Sequence, residues 1–314
     1  MDNCCVMGLD SLHEEAHGCV LTIGNFDSVH LGHQRILMNC RMLARQERAK
    51  VVVLTFVPLP EFVLRPHSAP PNIMPPEVNC ELLLKAGADL VITEQIDAAF
   101  LAMTPEQFVD EIIMKRFAPK HIVEGQDFFF GRSRMGNIKT LDQFGMHRGF
   151  VTHVVEPVTL MFRGGQRRVS STLIRELILA GEIDGANDCL GRKFTMHGCV
   201  VHGLGKGREI DFPTVNLDCT GQICPGDGVY AGKARIGERE YVSAISIGTR
   251  PTLRPGSRER AVEAFLIDAS GDFYGSDMTL ELHKRLRKQQ KFANMEELKR
   301  QIADDVEQVR QMVR

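Results

Sequence analysis

Apolar and polar positions keep one rhythm up to about Ala186 and another beyond it. In the first stretch, short apolar and β-branched runs alternate with segments of helical period. Cys19 to Ile23 and Lys50 to Phe56 predict buried strands, and Asp89 to Thr93, His121 to Glu124 and Phe150 to Val155 predict three more strands. Between them, Ile36, Leu37, Met38, Leu43 and Ala44 recur at helical spacing, and 82–88 also reads as helix. Thr104-Pro105-Glu106-Gln107 predicts a further helix start, with a Thr cap, Pro in first place and Gln three on from the cap. Val169-Ser170-Ser171-Thr172 predicts another. Strands alternating with helices imply a Rossmann-like α/β domain. The first eighteen residues show no firm period and read as a lead-in, and Arg65 to Pro76 reads as a proline-rich loop.

Beyond Ala186 the runs are short, rich in β-formers and broken by glycine: 195–202, 228–236, 240–247, 261–267 and 278–284. That spacing predicts a small antiparallel barrel. Leu298, Ile302, Val306 and Val309 then fall at helical intervals, with Asn294 as cap and Glu297 three later. The expected domains are residues 1–186 and 187–314.

Length agrees with two domains, because 314 residues exceed what one core usually supports. Lys plus Arg is 38 and Asp plus Glu is 40, a net charge of -2. That balance removes the broad basic field of a general nucleic-acid binder. No apolar run approaches the ~20 residues of a membrane span, and no leader pattern opens the chain. Nine cysteines without a C-x-x-C pair predict free thiols in a reducing compartment. The expectation is a cytoplasmic protein with neither nucleic-acid nor membrane partners.

Candidate chemistry concentrates at Gly24-Asn25-Phe26-Asp27-Ser28-Val29-His30-Leu31-Gly32-His33, a strand-to-helix corner where an open parallel sheet places its ligands. Gly24 permits close backbone approach, and Asp27 or Ser28 suits a helix cap. His30 and His33 share one face near the helix start, where free amides favour a phosphate. The bland alternative is a turn with two surface histidines. A zinc-protease pairing lacks its glutamate.

This decapeptide resembles the signature of nucleotidyltransferases that move AMP or CMP from a nucleoside triphosphate. The resemblance implies that His30 and His33 stabilise the charged phosphorus centre, with Gly24, Phe26, Asp27 and Gly32 as binding positions. Downstream, glycines 125, 131 and 136 interleave with Arg132 and Arg134 around three phenylalanines. Such a loop suits an anionic, planar ligand, although adjacent phenylalanines are more often core. The stretch is similar to G-x-D-F-x-F-G-x-x-R-x-G-[DN] of bacterial FAD synthetases, which implies binding by Asp127, Phe128 and Arg134. Thr55, Phe56, Pro58 and Pro60 match that family's strand exit, with Leu59 in its histidine position. Ser170 to Arg175 resembles S-S-T-x-I-R, which implies that Ser171, Thr172 and Arg175 close over the triphosphate. Capping alone is the competing reading of those hydroxyls.

In the second half, Phe212-Pro213-Thr214-Val215-Asn216 is similar to the F-P-T-A-N core of riboflavin kinases, preceded here by Asp211 instead of glycine. By that resemblance Gly203, Gly205, Lys206, Gly207 and Arg208 hold ATP phosphates, while Thr214 and Asn216 take Mg²⁺ and phosphate oxygens. Pro225 to Ala231 resembles the family's P-x-x-G-V-Y-A strand entry. Ile247 to Thr252 resembles its I-G-x-x-P-T turn, with Ser246 in place of asparagine. Glu263 matches its catalytic base, against the bland reading of a solvated strand carboxylate. The whole pattern from residue 19 onward resembles prokaryotic bifunctional riboflavin kinase/FMN adenylyltransferases (FAD synthetases). It implies ATP, Mg²⁺, riboflavin and FMN as ligands, and leaves self-association (a homo-oligomer) open. The rivals are a kinase with an impaired adenylyltransferase half and a flavin-binding regulator without turnover.

Overall fold

The computed structural model describes residues 4–12, 16–202, 212–251 and 258–313. The chain forms two compact units, residues 1–70 with 76–170, and residues 71–75 with 171–314.

In the first unit the strands are β1 (Cys4–Met7), β2 (Val20–Ile23), β3 (Val51–Val57), β4 (Leu90–Gln95), β5 (His121–Gly125), β6 (Phe129–Phe130), β7 (Gly136–Asn137), β8 (Val151–Val155), β9 (Thr159–Phe162) and β10 (Gly165–Arg168). The helices are α1 (Leu31–Glu47), α2 (Pro60–Leu64), α3 (Pro76–Lys85), α4 (Ala98–Leu101), α5 (Pro105–Gln107), continued by a π-helical stretch over Phe108–Met114, and α6 (Ile138–Arg148). Six strands form one sheet in the order β1-β4-β3-β2-β5-β8, with parallel pairing throughout.

Alternation splits each apolar run between two cores. Leu21, Leu54, Ile92 and Ile122 pack with Phe108, Ile113 and Phe117 on one face. Val20, Val53, Val91 and Val123 pack with Leu37, Cys40 and Leu83 on the other. A sheet covered on both faces explains why its strands read as continuous apolar runs. The chain steps outward from β2 to β3 and β4, then returns to place β5 on the opposite flank of β2. The switch point of this sheet, where such folds open a ligand crevice, is therefore between the tips of β2 and β5.

Three expectations change here. The lead-in contains an edge strand, β1, whose exposed, four-residue pattern carries no period. Helix α3 begins at Pro76, where the expected loop ends, rather than near Leu82. Cys5 of β1 is disulfide-bonded to Cys80 of α3, with Cα atoms 6.5 Å apart, which corrects the expectation of free thiols for that pair. The other seven cysteines are free.

The second unit opens with α7 (Ser171–Ala180) and α8 (Ile183–Leu190). Strands β11 (Phe194–Val201), β12 (Thr214–Asp218), β13 (Gly228–Ile236), β14 (Arg239–Pro251), β15 (Arg258–Leu266) and β16 (Asp277–Arg287) close a barrel in the order β11-β12-β15-β14-β13-β16. All its pairings are antiparallel. Strand β14 runs through Pro251, so Ile247 to Pro251 is strand rather than turn. Helix α9 (Met295–Met312) is capped as predicted, the Asn294 Oδ1 accepting from the Glu297 amide at 2.9 Å, and it lays Val309 on Ala231 and Ile267.

Two buried amides show why this unit starts where it does. Asn187 of α8 accepts from the Phe194 amide at 2.7 Å and donates to the Leu282 carbonyl at 3.1 Å. Gln222 accepts from the His197 amide and donates to the carbonyls of Thr195 and Ile73. These bonds attach α8 and residues 71–75 to the barrel. The compact units part at Ser170/Ser171, upstream of the expected boundary at 186/187.

Candidate active sites

The corner after β2 is held in an uncommon backbone shape. Phe26, Ser28 and Val29 have φ of 45°, 79° and 43°, and for β-branched Val29 the left-handed region is an outlier. Such conformations cost about 1–3 kcal/mol each and persist only where neighbours enforce them. The Ser28 amide donates to the Asn79 Oδ1 at 2.9 Å, the Thr55 hydroxyl to the Asn25 carbonyl at 3.2 Å, and the Gln34 amide group to the Val29 carbonyl at 2.9 Å. Phe26, Asp27, Ser28 and Val29 are all buried.

The cap of α1 is His30, rather than the expected Asp27 or Ser28. Its Nδ1 accepts from the amides of Gly32 at 3.1 Å and His33 at 3.4 Å. An Nδ1 that accepts places the proton of the neutral ring on Nε2, leaving that nitrogen a donor. Gly32 is required here, because a Cβ would stand 2.9 Å from the folded-back imidazole. The His33 ring stacks on that of His30 with centroids 3.6 Å apart, and Phe26 meets His33 edge-on at 5.0 Å. At Gly24 a Cβ would press on the Phe26 ring at 3.3 Å.

Below this corner the β2–β5 ladder stops at Leu21 and Ile122. At the next step the Ile23 amide donates to the side chain of Glu124, at 2.6 Å to Oε1, and the Thr22 hydroxyl lies 3.4 Å from the same oxygen. Glu124 is 3% exposed. Burial pushes its carboxyl well above the usual range, the Ile23 and Thr22 bonds oppose that, and the nearby Asp127 carboxylate adds to it.

The aromatic loop divides its phenylalanines. Phe130 is core, Phe128 is partly buried and stacked on it at 5.5 Å, and Phe129 is exposed. The Arg134 guanidinium covers the Phe129 ring at 4.4 Å. Asp127 pairs with Arg168 of β10 at 2.6 Å. The core reading therefore holds for Phe130, while Phe129 stands exposed beside Arg134. Leu59, in the family's histidine position, is partly buried and precedes α2 without a side-chain cap.

Ser171, Thr172 and Arg175 fall in the second unit. Ser171 and Thr172 open α7, and Arg175 Nε donates to the Pro71 carbonyl at 3.1 Å. On the barrel, Thr214 and Asn216 are two apart on β12 and so share a face. Asn216 stands directly across from Glu263 of β15, and Glu263 is across from Ser246 of β14. Val262, Ala264 and Leu266 are buried on the other face, while Glu263 is half-buried. Gln289 donates to the Ser246 hydroxyl at 3.0 Å, adding an amide to this polar row. Hydroxyl and amide oxygens beside a carboxylate suit a hard cation that keeps most of its water or phosphate ligands. Gly203, Gly205, Lys206, Gly207, Arg208 and Asp211 lie outside the described residues, as does Thr252.

Asn79, Glu124 and Gln289 escape sequence reasoning, since each acts through a partner 40 or more positions away. A polar residue inside an apolar strand, as at Glu124, was the one available signal.

Comparison with known proteins follows the same division. The FAD synthetase family matches residues 12–173, and the riboflavin kinase family matches residues 190–313. The bifunctional riboflavin kinase/FMN adenylyltransferase of Escherichia coli K12 is 36% identical over 303 residues, covering 96% of this chain and 95% of that one. The protein of the same description from Pseudomonas fluorescens is 34% identical over 301 residues, with coverage of 96% and 95%. A solved structure from Streptococcus pneumoniae, described as a macrolide-efflux protein, superposes with a TM-score of 0.88 at 27% identity, covering 99% of both chains. The matches define a two-module class, an FAD synthetase module followed by a riboflavin kinase module. The chain belongs to the bifunctional riboflavin kinase/FMN adenylyltransferase family.

Proposed function

We propose that the second unit phosphorylates riboflavin with ATP to give FMN, and that the first transfers the adenylyl group of a second ATP to FMN, giving FAD and pyrophosphate. The observation that carries this reading is the succession of both family modules in one chain, matched along 96% of its length by enzymes of that description.

In the adenylyl step an FMN phosphate oxygen attacks the α-phosphorus of ATP and pyrophosphate leaves. The nucleophile is already anionic, so alignment and charge neutralisation suffice. His30 suits this role because its Nε2 is left as a donor by the cap at Nδ1. His33, stacked on it, adds a second imidazole, and Asp127, Phe128 and Arg134 are proposed to receive the flavin. Ser171, Thr172 and Arg175 keep their assignment to the triphosphate on their motif alone.

In the kinase step Glu263 accepts the proton of the ribityl hydroxyl as that oxygen attacks the γ-phosphorus and ADP leaves. Thr214 and Asn216 are the proposed holders of Mg²⁺, which would neutralise charge on the β- and γ-phosphates. Among the described residues no three His, Cys, Asp or Glu side chains gather as a metal cluster, and none of the described helices is long and apolar enough to cross a membrane.

Chromatography of products from riboflavin, ATP and Mg²⁺ tests the reading. FMN followed by FAD is expected. FMN alone would reduce the chain to a kinase, and bound but unchanged riboflavin would make it a regulator.

A further inference from the structure

Glu124 is a buried acidic side chain at the switch point of the parallel sheet, and the proposed chemistry gives it no part. A carboxyl group there is costly, because the flanking Ile122 and Val123 are fully buried apolar residues. It occupies the place where the next ladder bond of β2 to β5 would form, and takes the Ile23 amide for itself. A side chain thus takes the place of a backbone partner at the strand tips. Directly beyond Ile23 the chain enters Gly24 and the His30–His33 corner, and directly beyond Glu124 it enters Gly125 and Asp127. One carboxyl group thus touches the root of both loops that line the crevice.

We infer that Glu124 is a positioning residue of the adenylyl step, its carboxyl group wedging apart the tips of β2 and β5 beneath the crevice that receives two anionic substrates. The inference rests on the reading that the first unit carries out adenylyl transfer. A neutral carboxyl beneath phosphates is compatible with their binding, whereas a carboxylate in a low-dielectric floor repels them. Burial holds Glu124 in the neutral form well above the usual carboxylate range. Among the described residues, the ionisable groups with electrostatic contact to it are Asp127 on the loop leaving β5 and Cys40 on α1. Burial pushes the Cys40 thiol up, so it stays neutral, and Asp127 supplies the neighbouring charge. From β2 the neutral Thr22 hydroxyl faces it. As pH climbs through its pKa, Glu124 ionises, and the KM for ATP and FMN rises roughly tenfold per pH unit.

The test uses the full chain with supplied FMN and MgATP, following FAD formation from about pH 6 to about pH 9. The wild-type enzyme should show the alkaline rise in KM. Glu124→Gln keeps the acceptor for the Ile23 amide but cannot ionise, so its KM should start about threefold higher and stay flat. Glu124→Val removes the wedge and should lower kcat/KM about tenfold at every pH. An alkaline limb unchanged in Glu124→Gln overturns the inference alone. Absence of FAD formation by wild type at every pH overturns the adenylyl reading and the inference with it. Infrared spectra of the wild-type chain give a readout independent of activity and of any variant's folding. Burial pushes the Glu124 carboxyl upward, so a protonated-carboxyl band should persist at neutral pH and vanish on alkalinisation. Its absence at neutral pH overturns the inference.

Discussion

His30 gives one ring nitrogen to its own helix, and the proposed adenylyl step calls on the other. His30→Ala removes both functions, which separate in His30→Asn, since the asparagine carbonyl oxygen can take the cap amides but offers no group in the place of Nε2. The alanine variant should lose about 1 kcal/mol of stability from the cap. It should also lose on the order of 10²–10³ in the rate of FAD formation, or ~3–4 kcal/mol. The asparagine variant should recover the stability and none of the rate, while both keep FMN formation. Thermal melts and the two half-reactions read this out, and equal melting of all three proteins would remove His30 as the cap. On the barrel, Glu263→Gln should slow FMN formation by ~10²–10⁴ with riboflavin and MgATP affinity nearly unchanged. Near-normal kcat would return Glu263 to a solvated strand residue. The corner and the F-P-T-x-N run were legible as motifs because their residues lie within a few positions of one another. The choice of cap was not, because histidine lies outside the usual capping set and its ring reaches Nδ1 back only where Gly32 leaves room. Asn79 and Glu124 were illegible for a different reason. Their meaning depends on which strand or helix lies beside them in space, and the spacings of 51 and 101 positions carry no local signal.

The elements read most clearly are those with a long apolar run or a capping pattern. Strands β2, β3, β5 and β8, the Thr104–Gln107 capping box and the Asn294 cap all follow from side chains within a few residues. Strand β12 was concealed, since Thr214 to Leu217 reads as a motif before it reads as a strand, yet it is needed to close the barrel between β11 and β15. Strand β1 and the β9–β10 hairpin are four-residue, largely exposed pieces, too short for a period of two to stand out. The Cys5–Cys80 bond joins one of these pieces, at the sheet edge, to α3 across 75 positions. Closing a loop of that length restricts the unfolded chain by up to about 4 kcal/mol in the chain-entropy account. Reduction, or Cys5→Ser, should therefore lower unfolding stability of the first unit by about 2–4 kcal/mol. The check is a urea titration with and without a dithiol reductant, in which Cys5→Ser should make the two curves coincide. Coincident curves for the wild-type chain would remove the tether.

At the scale of the molecule, the sequence reading puts the boundary at 186/187, whereas the compact units part at Ser170/Ser171 and the two family matches end at 173 and begin at 190. Its cue was the change of period near Ala186, but period reports the type of element and says nothing of which core an element joins. Helices α7 and α8 belong with the barrel, through Asn187 and its bonds to Phe194 and Leu282. A fragment starting at residue 187 would cut α8 inside its span and discard α7, whose Leu173, Ile174, Leu177 and Ile178 are buried. Each such side chain contributes roughly 1.5–3 kcal/mol when fully buried, so their shared removal is severe for a unit of this size. Residues 171–314 should fold and phosphorylate riboflavin, because Thr214, Asn216 and Glu263 all lie inside and both helices are kept. This longer fragment still lacks residues 71–75, which leaves the Gln222 side-chain amide without the Ile73 carbonyl, at a cost of about 1–3 kcal/mol. It should thus melt below the second unit of the whole chain. Residues 187–314 carry the same three proposed kinase residues and should nonetheless be poorly soluble or melt far lower. Circular dichroism melts of the two fragments, with FMN formation measured on each, decide the matter. Equal stability and equal turnover would show that α7 and α8 are accessories, and would restore the boundary that the change of period suggested.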